Sequence, residues 1–225
     1  MDKPVAEILS RLAARSEERA SPGSAIGMDI SWEVDPFKVL ISTVLSQRNR
    51  DESTHVASER LFAVFDTPEK LAKAPQDEVD RLIGMVNFHY GKAQAIRRIS
   101  QLLVDEHGGK VPKDMEALDA LPMVGRKTAN CVLIHAFDVD AICVDTHVHR
   151  ISNRIGLVKT KDPDTTEEAL MKVVPRELWK SVNAIMVRFG QEVCTPLRPK
   201  HHLCPIREFC DHYQESLKLE GTDST

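Results

Sequence analysis

The sequence predicts an all-α protein, because helical periodicity runs through nearly all of its 225 residues. In one stretch after another, apolar residues recur at the three- and four-residue spacings that form the buried face of a helix. Two predicted helix starts place proline directly after a capping residue, and one predicted end carries paired glycines. No sustained two-residue alternation occurs, so we expect about ten short helices and no sheet.

The predicted helices follow one another along the chain. In the first, one face carries the apolar residues Val5, Ile8, Leu9 and Leu12. The second, VDPFKVLISTVLSQ, begins with Asp35 as N-cap and Pro36 as first helical residue, and DTPEKLAKA repeats this start with Thr67 and Pro68. We expect residues 215–225 to form a frayed polar tail. The other predicted helices are PQDEVDRLIGMV, GKAQAIRRISQLLVDEHGG, DMEALDALP, GRKTANCVLIHAF, DTHVHRISNRIG, TTEEALMKVV and ELWKSVNAIMVRFGQEVC.

Composition and cysteine usage narrow the class of protein. Hydrophobic residues make up 42% of the chain and charged residues 28%, values typical of a soluble globular protein. No apolar run approaches the ~20 residues that span a bilayer, and charges interrupt the N-terminal apolar stretch as they do not in a secretory signal. Five cysteines, three of them near the C-terminus, favour a reducing compartment and metal binding over a disulfide framework.

The net charge of −4 does not by itself suggest a nucleic-acid-binding protein. Net charge averages over the whole surface, however, so a local basic face remains compatible with it. Scattered solvated charges are the alternative explanation. The basic residues that gather along the chain are Arg48 and Arg50; Lys92, Arg97 and Arg98; Arg126 and Lys127; Arg150 and Arg154; and Arg198 and Lys200.

Residues 118–134, LDALPMVGRKTANCVLI, predict two helices joined by a turn at residues 122–125. Glycine in that turn, Gly125, allows a close approach to another group or a positive φ. The helix that follows points its free N–H groups back at the turn, and such an end binds anions such as DNA phosphates. A plain connection between two helices explains the same spacing.

Lys127 and Asp145 each allow a structural and a chemical interpretation. Lys127 follows Arg126 just inside a helix N-terminus, where the helix dipole and the neighbouring cation disfavour its charge and suit a nucleophilic amine. A solvated lysine that contacts phosphate is the alternative. Asp145 is a predicted N-cap, and a carboxylate held there could also stabilise positive charge that develops on a sugar.

Three cysteines, Cys194, Cys204 and Cys210, stand in the segment CTPLRPKHHLCPIREFC, with His201 and His202 between the first two. Cysteines this close together in a chain from a reducing compartment predict a metal site. Three cysteines and one histidine form an ordinary structural zinc set, and iron–sulfur clusters also favour thiolates. A loop without metal is the remaining alternative.

The turn segment LPMVGRKTA resembles the helix-hairpin-helix of the endonuclease III family of DNA glycosylases at nearly every position. VDTHVHRISNR resembles the segment that carries that family's catalytic aspartate, and LISTVLSQRNRDE resembles the helix that faces the lesion. The resemblance covers almost the whole chain and implies two helical domains with a DNA cleft between them. The implied domains are a six-helix barrel with the helix-hairpin-helix at residues 29–139 and a helical domain with a metal-cluster loop at residues 1–28 plus 140–218, followed by a tail at 219–225.

The resemblance implies a base-excision-repair DNA glycosylase with AP lyase activity. It assigns Lys127 as the Schiff-base lysine and Asp145 as the catalytic aspartate, and it implies oxidised pyrimidines such as thymine glycol as substrates. The damaged base is flipped out of the duplex, Lys127 attacks the sugar C1′, and β-elimination then nicks the strand 3′ to the abasic site.

The same resemblance bears on how DNA is contacted. The loop GMVNFHYGK is longer than in the bacterial enzymes that it resembles, and its aromatic residues Phe88 and Tyr90 either stack on bases or fold into the core. Met123 stands where the family commonly has glycine, and we expect its φ to stay negative. The implied DNA contacts are Gln47, Asn87, Val124, Gly125, Arg126, Arg198 and Lys200. The family usually places its glutamine one position after Gln47, where this chain has Arg48.

The family holds a [4Fe–4S] cluster on the pattern Cys-x6-Cys-x2-Cys-x5-Cys. His201 stands at the second position, so the implied ligands are Cys194, His201, Cys204 and Cys210. Imidazole ligation raises the potential of a cluster, and zinc is the alternative metal. His202 takes the place of His201 if the loop shifts by one residue.

The implied partner is damaged double-stranded DNA, and we expect a monomer without membrane attachment that lies with the nucleoid in the cytoplasm. Two alternatives remain open, a mismatch-specific glycosylase of the same superfamily and a non-catalytic DNA-binding iron–sulfur protein. The presence of both Lys127 and Asp145 argues against the second.

Overall fold

The structure is a computed structural model that describes residues 3–17 and 35–222, and the regular elements within those ranges are all helical. Three short 3₁₀ helices lie at Arg176–Leu178, His201–Leu203 and Arg207–Phe209. The α-helices of these ranges are α1 (Val5–Glu17), α2 (Pro36–Ser46), α3 (Asp51–Phe62), α4 (Pro68–Lys73), α5 (Gln76–Leu82), α6 (His89–His107), α7 (Met115–Asp119), α8 (Arg126–Phe137), α9 (Thr146–Ile155), α10 (Pro163–Val173), α11 (Trp179–Glu192) and α12 (Asp211–Thr222). The all-α prediction is confirmed.

The local signals in the sequence set several of these helix boundaries. Asp35 caps α2, since its carboxylate accepts the N–H of Phe37 at 2.9 Å, and Thr67 caps α4 in the same way. Helix α6 ends where Gly108 takes a φ of 58°, a left-handed conformation that glycine adopts without strain. These predicted starts and this predicted end are confirmed.

The C-terminal segment differs from its prediction as a frayed tail, because α12 continues to Thr222. Its first residue is anchored by the N-terminal segment: Lys3 Nζ donates to Asp211 Oδ1 and to the Phe209 carbonyl, both at 2.6 Å. A tertiary ion pair of this kind cannot be read from local polarity. Residues 223–225 lie outside the described residues.

The chain divides into two compact units, which we name the central unit (residues 28–139) and the terminal unit (residues 1–27 and 140–225). Each unit has its own apolar core. The central core is built on α2 and on residues of α3 to α8, and the terminal core joins α1 to α9, α10 and α11. Of the helices in the described ranges, none combines the length and apolarity that crossing a membrane requires.

Candidate active site and cysteine loop

The connection between α7 and α8 is a tight turn with its strain at Met123. Met123 has a φ of 59°, so the expectation of a negative φ at this residue was wrong. The turn geometry demands a left-handed residue there, which costs a non-glycine residue about 1–2 kcal/mol. Gly125, the residue with the freedom to adopt it, has instead a φ of −97°.

Gly125 contributes open space in front of α8. It is the N-cap of that helix, and a Cβ built at this position meets no atom within 4 Å. The N-terminus of α8 therefore presents backbone N–H groups and the positive end of the helix dipole at an uncluttered surface. This is the arrangement that binds an anion such as a phosphate.

Lys127 is the second residue of α8 and its side chain is exposed. The next three residues of the helix, Thr128, Ala129 and Asn130, are buried, so the backbone that carries Lys127 is fixed by the core. An exposed lysine therefore stands on a rigid helix start, beside a site suited to a phosphate.

Asp145 caps α9, as predicted, and holds one histidine. Its Oδ1 accepts the N–H groups of His147 and Val148, each at 2.9 Å, and its Oδ2 lies 2.9 Å from His147 Nδ1. Three contacts fix the orientation of the carboxylate, while about a fifth of the side chain remains exposed. Such a carboxylate can serve as a fixed negative charge for chemistry.

Gln47 lies in the α2–α3 turn (residues 47–50). Its side chain points to the turn between α7 and α8 (residues 120–125), which we call the hairpin turn. Gln47 Nε2 donates to the Met123 carbonyl at 2.7 Å and to Thr128 Oγ1 at 3.2 Å. The α2–α3 turn and the hairpin turn are thus joined within the central unit.

Asn87 and Phe88 lie against the other side of the α2–α3 turn. Asn87 Nδ2 donates to the Arg48 carbonyl and the Asn87 N–H to Asn49 Oδ1, both at 2.7 Å. Phe88 and Tyr90 are 65% and 58% exposed, so these aromatic residues do not fold into the core. The Arg48 guanidinium stands 5.9 Å from the centre of the Phe88 ring, a cation–π distance.

Lys92 was grouped with the basic residues of a possible DNA-binding face, but its side chain is only 1% exposed. Its Nζ donates to the carbonyls of Leu45 and Gln47, each at 2.7 Å. Burial lowers the pKa of Lys92 to about 8. Lys92 thus acts inside the central unit and not on its surface, which sequence spacing alone could not show.

Val124 contributes to the core of the central unit, with 3% of its surface exposed. Its N–H donates to the Leu121 carbonyl at 3.1 Å. Its side chain and its N–H are therefore already used within the protein, and the prediction that Val124 contacts DNA now concerns only its carbonyl.

The three cysteines of the cysteine loop (residues 194–210) line one pocket in the terminal unit. Cys194, His201, Cys204 and Cys210 all face this pocket, which encloses about 350 Å³ including the solvent at its mouth. The other lining residues are Arg154, Ile155, Phe189, Val193, Pro199, Lys200, Ile206, His212 and Tyr213. Four donors of the expected kind therefore surround one space whose other walls are largely apolar.

The charges around this pocket suit anionic sulfur. Arg154 Nη1 lies 3.5 Å from Cys194 Sγ and 2.8 Å from the Thr195 carbonyl, which also fixes the start of the loop. Burial raises the pKa of the Cys204 thiol to about 11 and that of Cys210 in the same direction, so burial favours the protonated thiols. A bound metal would have to displace those protons, as metals do at thiolate sites.

His201 lies in the pocket among two aromatic neighbours that the sequence did not single out. Its ring centre is 5.7 Å from that of His212 and 5.0 Å from that of Tyr213. In the sequence, only the position of His212 and Tyr213 just after Cys210 indicates that they could lie near the metal site. Throughout residues 3–17 and 35–222, no three His, Cys, Asp or Glu side chains converge closely enough to hold a single metal ion.

The basic residues of the cysteine loop and those of α9 beside it have different roles. Arg198 and Lys200 are exposed, as a phosphate contact requires. Arg150 and Arg154 instead donate to carbonyls of the terminal unit, Arg150 to Cys194 at 3.1 Å and Arg154 to Thr195. The second pair thus supports the loop from within.

Two family models match this chain. Residues 41–176 match the HhH-GPD superfamily of base excision DNA repair proteins, and residues 194–210 match the iron–sulfur binding domain of endonuclease III. The first match covers the hairpin, Lys127 and Asp145, and the second covers the whole cysteine loop. The chain therefore belongs to the HhH-GPD superfamily and, within it, to the endonuclease III family.

Relatives and solved structures agree with that assignment. An endonuclease III from Thermotoga maritima is 50% identical over 193 residues, which cover 86% of this chain and 91% of that protein. A trapped endonuclease III–DNA covalent intermediate is 31% identical with a TM-score of 0.82, and a non-covalent endonuclease III–DNA complex is 32% identical with a TM-score of 0.81. Each alignment covers 95% of this chain and 97% and 98% of those chains, respectively.

The biochemical class follows from the family. The protein is a base-excision-repair DNA glycosylase that binds DNA, and its cysteine loop holds an iron–sulfur cluster. The donors present fit such a group, because three thiols and an imidazole surround one pocket beside the Arg154 cation.

Proposed function

We propose that this glycosylase is bifunctional: it removes oxidised pyrimidines such as thymine glycol from double-stranded DNA and then cleaves the strand 3′ to the abasic site. The observation that carries the proposal is Lys127, an exposed amine on the first turn of α8 next to the hairpin turn. A glycosylase that only hydrolyses the base needs no amine nucleophile at that position.

The chemistry assigned to Lys127 proceeds through a covalent imine. The neutral amine attacks C1′ of the deoxyribose, and the base leaves with the electrons of the glycosidic bond. Loss of the amine proton and ring opening give the imine, which acidifies the C2′ proton. Removal of that proton expels the 3′ phosphate by β-elimination, and water then releases Lys127.

Asp145 supplies the negative charge in this proposal. Its carboxylate, fixed by the N–H groups of His147 and Val148, stabilises the positive charge that develops on the sugar as the base departs. The same carboxylate can accept a proton from an amine nucleophile. Both roles need an oriented and partly exposed carboxylate, which the N-cap geometry supports.

The DNA-binding residues fall into three groups. Gly125 and Arg126 supply N–H donors for the hairpin contact with phosphate, whereas the Val124 carbonyl only accepts and would reach DNA through a bridging water or cation. Gln47 and Asn87 belong to the segments that fill the space left by a flipped base. Their side-chain amides are now bonded to protein carbonyls, so filling that space would require them to exchange partners.

The basic residues of the cysteine loop form the third group. Arg198 and Lys200 are exposed on a loop that the cluster braces, and we assign them to DNA phosphates. Their contacts are electrostatic, so they add affinity without lesion preference.

We assign the cluster as [4Fe–4S], held by Cys194, His201, Cys204 and Cys210. These four side chains line one pocket, and they would hold such a cluster there through three thiolates and an imidazole. A zinc ion would instead need four donors that converge on one point at about 2.0–2.3 Å. When bound, the cluster crosslinks the loop and holds its basic residues in place.

We further propose that the protein acts as a monomer on DNA in the cytoplasm, where a reducing environment preserves the thiolate ligands. Gel filtration of the purified protein with and without a duplex distinguishes a 1:1 complex from a dimer.

A set of matched duplexes tests the activity. One strand carries thymine glycol, a T·G mismatch, a preformed abasic site or no lesion, and each duplex is incubated with the protein with and without borohydride. We expect base release and strand cleavage with thymine glycol, cleavage at the abasic site, and a covalent adduct with borohydride. Base release from the mismatch alone, without adduct, would instead identify a monofunctional mismatch glycosylase. Binding without any product would identify a non-catalytic protein.

A further inference from the structure

We infer that Lys92 is a positioning residue for base excision: it sets the α2–α3 turn so that Gln47 is placed to act on a damaged base pair. The inference rests on the proposed function, since it assigns the α2–α3 turn to lesion recognition. Lys92 itself touches neither DNA nor the reacting atoms, because its side chain is buried.

The contacts of Lys92 fall on the end of α2. That helix ends at Ser46, and its last carbonyls have no partner within the helix. Lys92 Nζ donates to two carbonyls there, those of Leu45 and Gln47, each at 2.7 Å. A positive charge at a helix C-terminus is favourable, and here it also fixes the peptide that carries Gln47.

The peptide after Arg48 is fixed by Asn87, which lies just before α6, the helix that carries Lys92. Asn87 Nδ2 donates to the Arg48 carbonyl at 2.7 Å. Arg48 has a φ of 57°, a left-handed conformation that persists in a non-glycine residue only where its surroundings enforce it. Lys92 and Asn87 hold the carbonyls on the two sides of Arg48, so together they enforce this conformation.

The position of the turn reaches the hairpin through Gln47. Its amide donates to the Met123 carbonyl at 2.7 Å, and Met123 is another left-handed residue of the site, with a φ of 59°. A chain of hydrogen bonds thus runs from Lys92 through the Gln47 backbone and side chain to the hairpin turn. A displacement of the α2–α3 turn would move Gln47 relative to α8, which carries Lys127.

Burying a lysine to bind the last carbonyls of a helix is unfavourable for stability, so we expect Lys92 to have a further role. Removing an ammonium group from water is unfavourable, and that loss of solvation lowers the pKa of Lys92 to about 8. The amine remains mostly protonated at neutral pH, so it keeps its donors for both carbonyls. Its fixed charge orients the turn in a way that an apolar residue of equal length cannot.

The test compares Lys92→Met, which keeps the length of the side chain but removes its donors, with Ile99→Ala. Ile99 lies on the same helix and is fully buried in the central core, so its truncation lowers stability while the hydrogen bonds of Lys92 to Leu45 and Gln47 are kept. Both variants are assayed under single-turnover conditions on a thymine glycol duplex and on a preformed abasic duplex. Unfolding is measured in parallel.

We expect Lys92→Met to slow base excision by on the order of 10- to 100-fold, the scale of a small misplacement in an active site. Cleavage of the abasic duplex should change by less than about 3-fold, a small effect on that scale, because no base has to be displaced there. Ile99→Ala should keep both rates. A 2-aminopurine opposite the lesion should brighten with wild type and Ile99→Ala but not with Lys92→Met.

Equal slowing of both reactions by Lys92→Met, or slowing by Ile99→Ala to the same extent, would overturn the positioning role and leave a structural one. An unchanged excision rate would overturn it as well. If Lys92→Met does not fold, Lys92→Gln, which retains an N–H donor, replaces it and should show the same selective loss to a smaller extent. A wild-type protein without activity on either duplex would overturn the proposed function itself, and this inference with it.

Discussion

The α2–α3 turn of the central unit and the cysteine loop of the terminal unit are both irregular segments, but different groups hold them in place. In the turn, protein side chains bind the backbone carbonyls: Lys92 binds those of Leu45 and Gln47, and Asn87 binds that of Arg48. These bonds are 2.7 Å long and two of them come from a buried ammonium group. The protein alone specifies this geometry.

The protein fixes the cysteine loop at its two ends, where Arg154 binds the Thr195 carbonyl at 2.8 Å and Lys3 binds the Phe209 carbonyl at 2.6 Å. Its sulfur contacts are longer, since Cys194 and Cys210 each lie 3.5 Å from an atom of Arg154. The donors surround a pocket and do not converge. We conclude that the turn is organised by the fold and that the loop is completed by its cluster.

Among the substitutions in the terminal unit, Asp145→Asn should cause the largest loss of catalytic activity. Asparagine is as good an N-cap as aspartate, so α9 and the free energy of unfolding should be almost unchanged. The negative charge is lost, and turnover on a thymine glycol duplex should fall by at least ~10²-fold. Single-turnover kinetics with a thermal melt separates the two effects. Near-normal turnover would leave Asp145 as a cap only.

His201→Ala tests how far the loop depends on its cluster. Loss of one ligand should release iron and sulfide on exposure to air, with loss of most absorbance near ~400 nm, where thiolate-bound iron absorbs. His202→Ala is the matched control and should retain the cluster. His201→Cys should give a cluster with a lower potential that survives oxygen better. One zinc per chain without sulfide in the wild type would contradict the cluster assignment.

Arg198→Ala should give a moderate effect that depends on salt. Loss of one phosphate contact should weaken binding to damaged and undamaged duplexes alike and reduce the slope of log K against log salt by about 1. Lys172→Ala, at another exposed position of the terminal unit, is the control and should change neither quantity. Equal affinity of Arg198→Ala and wild type at low salt would show that this side chain does not contact the DNA backbone.

Met123→Gly should give the smallest effect, and in the opposite direction. Glycine relieves the left-handed strain, so the free energy of unfolding should rise by up to ~1 kcal/mol after the entropic disadvantage of glycine is included. Met123→Ala removes the same side chain but keeps the strain, and it should not be stabilising. Chemical denaturation of the two variants gives the comparison directly. Greater stability of Met123→Ala than of Met123→Gly would contradict the strain.

The parts of the molecule that the sequence predicted are those governed by local chemistry. Asp35, Thr67 and Asp145 cap helices because their side chains reach N–H groups two or three residues away, and that distance is visible in the sequence. The hairpin was also visible, although the left-handed residue proved to be Met123 and not Gly125. A glycine in a turn shows that a positive φ is sterically possible at that residue, but it does not show which residue of the turn adopts one.

The parts that the sequence missed depend on contacts between distant residues. Lys92 looked like a surface cation, and only the packing of α6 against the end of α2 shows that it is buried. His212 is the second residue of α12, and it lines the pocket because that helix begins directly after Cys210. Helix α12 itself is anchored by Lys3 from the other end of the chain.

The most direct test of the account is borohydride trapping on an abasic duplex with wild type, Lys127→Gln and Lys110→Gln. Lys110 is an exposed lysine of the central unit outside the hairpin and serves as the control. We predict that wild type and Lys110→Gln form a covalent adduct, that proteolysis locates the DNA on the peptide containing Lys127, and that Lys127→Gln remains folded but forms no adduct. An adduct with Lys127→Gln at the wild-type rate would contradict the assignment of Lys127 as the nucleophile.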